Sequence, residues 1–291
     1  MSPSFHLDAP AKINLGLRIV ATRDDGYHEL ESLFVPLDLA DGIALQVEPA
    51  ARVEVSLRVV GEADGTPVGG DNLAARAARS FLERAQIDAH VEIGLTKHIP
   101  VAAGLGGGSS DAATVLRGLR RAYPDALEPA VLESLALSLG ADVPYFLRPE
   151  PAWVSGIGEV REPVGDLPPL GLLLANPGEA LATAEVYRAY DALEKPGACP
   201  PRPADLAQTV GDAGALQALL HNDLEAPAVR LCPPIGRLRS ELEALEPRAV
   251  GMSGSGATLF AIFRDRSAAA AAAERLEGPE QGWQRVAATR D

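Results

Sequence analysis

The sequence predicts an α+β protein of two domains. At 291 residues the chain has room for two domains of ordinary size. Alternating apolar stretches and helical apolar stripes follow one another without the regular strand–helix alternation of a parallel α/β sheet. A Gly- and Pro-rich stretch between Pro149 and Pro169 separates the halves, which places the division at residues 1–155 and 156–291.

Apolar runs at Ile13 to Val20 and Leu33 to Leu37 flank the polar segment Thr22 to His28, giving strand, loop and strand. Ile43, Leu45 and Val47, then Val53, Val55, Leu57 and Val59, alternate with period two, and an antiparallel meander accounts for them. Asp71 or Asn72 can cap a helix carrying Leu73, Ala77, Phe81 and Leu82, after which Val91, Ile93 and Leu95 alternate again. Two helices are predicted next. The first runs from about Asp111 to Ala122 on the stripe Val115, Leu116 and Leu119; the second runs from Pro129 to Leu139, with Gly140 as a left-handed cap. The second half offers a strand at Gly171 to Ala175, a turn at Asn176-Pro177-Gly178, a helix at Ile235 to Leu245, a strand at Ala257 to Phe263 and a helix at Ser267 to Leu276.

Composition excludes several classes. The formal charge is −14, which opposes binding to polyanions and makes nucleic acid an unfavourable partner. Cys199 and Cys232 lack metal-ligand spacing and give no disulfide framework, as expected of a reducing cytoplasm. No apolar run approaches the ~20 residues of a membrane span, so a soluble cytoplasmic protein without a membrane partner is expected. Only Lys12, Lys97 and Lys195 are lysines, against 23 arginines. A lysine in such a chain points to a place that needs a compact ammonium rather than a planar fork.

The segment Pro100-Val101-Ala102-Ala103-Gly104-Leu105-Gly106-Gly107-Gly108-Ser109-Ser110-Asp111 sets four glycines just ahead of a predicted helix. Backbone amides there can converge on an anion, helped by the positive helix end and two hydroxyls, so a di- or triphosphate is the natural ligand. No lysine precedes the serine pair as in a Walker loop, and the third glycine of a dinucleotide fingerprint is Ser109. The alternative is a flexible loop in which Ser109, Ser110 or Asp111 merely caps the helix. A second cluster, Gly251 to Gly256, can supply further amides or simply turn into a strand.

Three other places carry candidate chemistry. Lys12 lies in the strand-like run Ala11 to Leu15. Asp142, between Gly140-Ala141 and Val143-Pro144, sits among apolar residues where a carboxylate needs a partner. Paired with a lysine it would stay ionised and could orient or deprotonate a hydroxyl; alone it would bond turn amides. Tyr27 and His28 could stack on a planar base or simply pack.

Taken together, the runs Ala11 to Leu15, Asp25 to Leu30, Pro100 to Ser110, Gly140 to Pro144, Asn222 to Glu225 and Gly251 to Gly256 resemble the GHMP kinase superfamily over nearly the whole chain. The Asp-Gly-Tyr-His segment points to its branch acting on a cytidyl diphosphate alcohol. The resemblance implies a ribosomal-protein-S5-like N-terminal α/β domain and a ferredoxin-like C-terminal α+β domain. It also implies transfer of the γ-phosphoryl of ATP, accompanied by Mg²⁺, to the 2-hydroxyl of that alcohol in non-mevalonate isoprenoid precursor synthesis. By the same resemblance Asp142 would be the base and Lys12 its partner. Asn14 would place the substrate, and Tyr27, His28 and Lys97, with Thr183 and Tyr187, would hold its cytidine end. Pro100, Gly104, Leu105, Gly106, Gly107, Gly108, Ser109 and Ser110 would hold ATP, and Ser109 and Ser110 would approach the metal. A kinase of another small alcohol, or a nucleotide-binding regulatory protein without chemistry, are the competing readings.

Overall fold

A computed structural model describes residues 3–63, 65–179, 181–193, 202–278 and 282–290; Lys195 and Cys199 lie outside them. The chain forms two compact units that interleave in sequence. The first comprises Met1–Ala11, Leu39–Val101 and Gly106–Pro149, the second Lys12–Asp38, Ala102–Leu105 and Glu150–Asp291. Two long strands, β1 (Ser4–Thr22) and β2 (His28–Pro49), contribute to both units, which is why contiguous stretches of sequence do not coincide with them.

In the first unit β3 (Glu54–Gly61), helix α1 (Leu73–Ala85) and β4 (Ala89–Lys97) form a crossover unit. β3 pairs parallel with β4, and β4 pairs antiparallel with β2, Leu45 facing Ile93. The meander expected from the alternation is therefore absent. A 13-residue helix between β3 and β4 supplies the crossover that a parallel pair requires, and β4 separates β3 from β2. The Asn72 side chain accepts from the Ala74 amide at 2.9 Å and starts α1. Helices α2 (Gly107–Ala122), α3 (Pro129–Leu139) and α4 (Val143–Phe146) follow. The predicted stripe Val115, Leu116 and Leu119 is buried with Phe81, Leu82, Leu45 and Ile93. Each such side chain contributes about 1.5–3 kcal/mol by leaving water. Gly140 departs from expectation: its φ of 166° is extended, and its amide closes α3 on the carbonyls of Ala136 and Leu137.

The second unit holds β5 (Ala152–Gly156) and β6 (Val160–Pro163), which occupy the Gly- and Pro-rich stretch read as a divider and pair with each other; β5 also pairs with the Leu30 to Phe34 part of β2. Then come β7 (Gly171–Asn176), α5 (Thr183–Asp191), α6 (Leu206–Gly211), α7 (Ala213–Leu219), α8 (Glu225–Leu231) and α9 (Pro234–Glu243). The chain finishes with β8 (Ala249–Met252), β9 (Leu259–Phe263), α10 (Arg266–Ala273) and β10 (Trp283–Ala288). The last four strands make an antiparallel sheet in the order β10-β7-β9-β8. With the first strand of the four lying between the last and the third, this is the ferredoxin-like arrangement. Its buried face, including Leu173, Leu259 and Ala261, packs with Ile235, Leu238 and Leu242 of α9 and Ala269 and Ala272 of α10. Cys232 is a buried free thiol in this core, and burial pushes its pKa up. Among the described residues no helix is long and apolar enough to cross a membrane.

Candidate active site

The second unit assembles a buried polar network from three separate segments. Lys12 is only 3% exposed, and its ammonium donates to Asn14 Oδ1 at 2.6 Å and to the carbonyl of Gly104 at 3.2 Å, with the Phe34 ring 4.8 Å away. Residues two apart on a strand share a face, so the Lys-Ile-Asn spacing is what brings the ammonium and the amide together. Asn14 Nδ2 donates to Ser32 Oγ at 2.9 Å, and Ser32 Oγ donates to the Gly16 carbonyl. Ser253 closes the network by donating to the Gly104 carbonyl at 3.0 Å.

The Gly251 to Gly256 cluster enters the network through Ser253. Asn222 Nδ2 donates to the carbonyls of Met252 and Gly254, both at 2.9 Å, and so fixes this turn from behind. Thr183 stands at the start of α5 with Oγ1 3.0 Å from Ser255 Oγ. One turn on, Tyr187 stacks on His28, with centroids 4.9 Å apart and planes at 29°. Tyr190 meets the same imidazole edge-on, and His28 Nε2 lies 2.7 Å from Asp191 Oδ1. An imidazole held this way presents a fixed aromatic surface, whereas Tyr27 beside it is 61% exposed.

In the first unit the end of the glycine loop forms the first turn of α2. Gly106, at φ 74°, is the N-cap and makes no side-chain capping bond. Capping by Ser109, Ser110 or Asp111 is thus not what the loop does, and the helix start keeps amides of the kind that bind anions. Ser110 is fully buried and its Oγ has no hydrogen-bond partner among the described residues. Pro100 precedes the turn at Val101, and Gly107 and Gly108 lie within the helix rather than ahead of it.

Lys97, assigned by resemblance to the cytidine end, is bound in this unit by two carboxylates. Its ammonium donates to Asp41 and, at 2.9 Å, to Asp111 Oδ2, while Asp41 Oδ1 accepts from the amides of His98 and Ile99. Burial opposes the Lys97 charge, yet Asp111 and Asp41 outweigh it and hold the ammonium above its ordinary pKa. Burial lifts the Asp111 carboxyl to about 7 against the pull of Lys97, with the Asp41 charge adding to the rise. Asp142, also in this unit, is half-buried at the start of α4, with Val143 to Phe146 buried behind it.

Sequence reasoning missed Ser32, Asp41 and Asp191. Asp41 left a faint signal, a carboxylate among Leu37, Leu39, Ala40 and Ile43 that Asp38 shares. Among the described residues no cluster of His, Cys, Asp or Glu is arranged to hold a metal ion.

The family described as GHMP kinases N terminal domain matches residues 44–149, and that described as GHMP kinases C terminal matches residues 204–279. A 4-diphosphocytidyl-2-C-methyl-D-erythritol kinase of Syntrophotalea carbinolica is 42% identical over 287 residues, covering 96% of this chain and 96% of the relative. Another, from Caulobacter vibrioides, is 44% identical over 283 residues, covering 94% and 95%. A crystal structure of 4-(cytidine 5'-diphospho)-2C-methyl-D-erythritol kinase superposes with a TM-score of 0.79 at 39% identity, over 99% of this chain and 100% of that one. With motifs, both family domains and full-length relatives in agreement, the chain belongs to the GHMP kinases, in the group of 4-diphosphocytidyl-2-C-methyl-D-erythritol kinases.

Proposed function

We propose that this chain transfers the γ-phosphoryl group of ATP to the 2-hydroxyl of 4-diphosphocytidyl-2-C-methyl-D-erythritol. The observation that carries this reading is the bond from the buried Lys12 ammonium to the carbonyl of Gly104, which ties a cation to the phosphate-binding loop. Phosphoryl transfer is mostly positioning and charge stabilisation, and a fixed ammonium at such a loop serves both.

Asp142 takes the proton of the acceptor hydroxyl, and Lys12 keeps the reacting carboxylate ionised and offsets charge developing on the transferred group. Asn14, oriented by Lys12 and Ser32, places the acceptor. The amides of Gly104 to Ser110 hold the phosphates, with Pro100 leading into the loop. Tyr27, His28 and Tyr187 receive the cytosine; the stacked His28–Tyr187 pair supports this directly, and Thr183 stands four residues before Tyr187 on α5. Lys97 contributes by fixing the start of α2 through Asp111. Mg²⁺ would be held on the protein side by the hydroxyls of Ser109 and Ser110, the latter without a hydrogen-bond partner among the described residues, and would supply positive charge to the phosphates. The family division at 155 and 156, a cytoplasmic location and the lack of nucleic-acid or membrane partners belong to the same reading.

The test is a phosphoryl-transfer assay with 4-diphosphocytidyl-2-C-methyl-D-erythritol beside homoserine and mevalonate. ADP should form with a phosphate on the cytidyl acceptor alone. Faster turnover of either other alcohol would overturn the assignment.

A further inference from the structure

The dipeptide Asn222-Asp223 takes no part in the reaction as assigned above, yet it is bonded both to β1 and to the 251–256 turn. Gly16 brings it to β1: at φ 87°, a Cβ there would stand 2.2 Å from the Leu219 carbonyl oxygen, so only glycine lets the strand approach the end of α7. From that point the chain runs beside β1 as a short parallel bridge. The Leu17 amide donates to the His221 carbonyl at 2.9 Å, and the Asp223 amide donates to the Leu17 carbonyl at 3.0 Å. Asp223 Oδ2 accepts from the Ile19 amide at 2.7 Å, which anchors the dipeptide on the strand that carries Lys12 and Asn14.

Asn222 reaches the other way. It is buried, and its Oδ1 accepts from the Leu224 amide at 2.9 Å in a turn leading into α8. A residue serving only that turn needs no more than the oxygen, and aspartate forms it equally well. What the amide adds is a pair of N–H donors, and both go to the turn on either side of Ser253, to the carbonyls of Met252 and Gly254. Ser253 is fully buried; its Oγ accepts from the Asn14 amide at 3.4 Å and donates to the Gly104 carbonyl, the same atom that receives the Lys12 ammonium. One side chain is thus two bonds removed from the carbonyl that fixes the cation.

We propose that Asn222 is a positioning residue for phosphoryl transfer: it holds the 251–256 turn, and through Ser253 the Gly104 carbonyl, where the Lys12 ammonium is fixed. This role rests on the reading of Lys12 as the cation of the transfer. Displacing a catalytic group by about 1 Å from a distance can cost about 10²-fold in rate, so a buried residue that never meets substrate can still set turnover.

Two measurements on the full-length protein test it, and the first needs no activity. Lys12 and Lys97 are each 3% exposed and belong to different units, so trace acetylation with acetic anhydride, read at each lysine by mass spectrometry, follows Lys12 with Lys97 as internal reference. Asn222→Asp keeps the side chain's shape and sets a carboxylate against two carbonyl oxygens; it should raise Lys12 labelling at least about threefold relative to Lys97. The second measurement is kcat with whichever alcohol the parent phosphorylates fastest. It should fall about 10- to 100-fold, by more than either KM rises. Ser253→Ala should act in the same direction, and the Asn222→Asp/Ser253→Ala protein should match Asn222→Asp alone rather than show the product of the two losses. Asp223→Ala releases the anchor on β1 and should shift both readouts the same way, with Asp223→Asn, which can still accept from Ile19, shifting them less; this pair decides the matter if the Asn222→Asp chain does not fold. Equal labelling gains at Lys12 and Lys97, unchanged Lys12 labelling, unchanged kcat, or losses that multiply with Ser253→Ala would each overturn the proposal. A parent that phosphorylates no alcohol, with Lys12 labelling still rising in Asn222→Asp, would refute the assigned reaction and support the tie between Asn222 and Lys12.

Discussion

Ser253 and Gly104 are locked together: the Ser253 hydroxyl donates to the Gly104 carbonyl at 3.0 Å, and a Cβ on Gly104 would stand 2.6 Å from the Ser253 carbonyl oxygen. Gly104 also has φ 71°, where any L side chain is strained. Gly104→Ala must therefore shift the loop away from the 251–256 turn and loosen the carbonyl that anchors Lys12. The expected result is ATP affinity weakened by at least about tenfold in calorimetry, together with a loss of about 1–3 kcal/mol of stability in urea unfolding. Ser253→Ala removes only the hydroxyl and should cost less on both measures.

Asp142→Asn keeps the shape of the side chain and removes its basicity. Its backbone bounds α4 without a side-chain capping bond, so the fold should survive, as circular dichroism and the unfolding midpoint would register. Turnover of the cytidyl acceptor should fall by about 10² to 10⁴, the typical contribution of a general base, with KM for ATP little changed. Near-normal turnover would remove Asp142 from the mechanism.

The His28–Tyr187 stack makes a different kind of prediction. An aromatic pair contributes about 0.5–1.5 kcal/mol beyond its buried area, so Tyr187→Ala should raise KM for the cytidyl acceptor by roughly three- to tenfold. ATP affinity should not move. Asp191→Asn, which takes the charge from the His28 partner, should act in the same direction but less, whereas exposed Tyr27 should tolerate replacement without loss of stability. Steady-state kinetics with each substrate varied in turn separates these outcomes.

These residues also show what a sequence can and cannot reveal. Lys12 was legible from local pattern, as one of three lysines set in the strand-like run Ala11 to Leu15, whereas Asn14 entered only through the family resemblance. The helices α2 and α3 and the sheet strands β7 and β9 were legible because local periodicity specifies them. Pairing was not. β4 lies between β2 and β3 because a helix crosses over, and nothing in the alternation of Val55, Leu57 and Val59 distinguishes a parallel partner from an antiparallel one. Long-range partners were equally hidden: Asp41 and Asp111 are 70 residues apart by their numbers and come together around Lys97. The Lys97 side chain, assigned to the cytidine end by resemblance, also bridges that pair.

The Lys97–Asp111 pair makes stability depend on pH in a direction opposite to that of ordinary acid denaturation. Asp111 is held at about 7 in the folded chain, well above its usual value of 3.8, so between those limits the folded state binds more protons than the unfolded one. Stability contributed by this group therefore falls as pH rises from about 4 to about 7, with a limiting slope of about 1.4 kcal/mol per pH unit for one proton. Below 4 both states are protonated; above 7 both are ionised and the full cost of a buried carboxylate is present. Lys97, raised by the same partners, adds stability at all pH values below its ordinary range and loses it only in alkali, so it does not mask the effect. Urea unfolding at pH 5, 6, 7 and 8 should show the parent chain losing stability relative to Asp111→Asn across this window. Parallel curves for the two proteins would mean that Asp111 does not titrate there. Removing the cation instead, by Lys97→Met, leaves two buried carboxylates without their common partner and should cost about 3–5 kcal/mol at pH 8, and less at pH 5, where Asp111 is protonated.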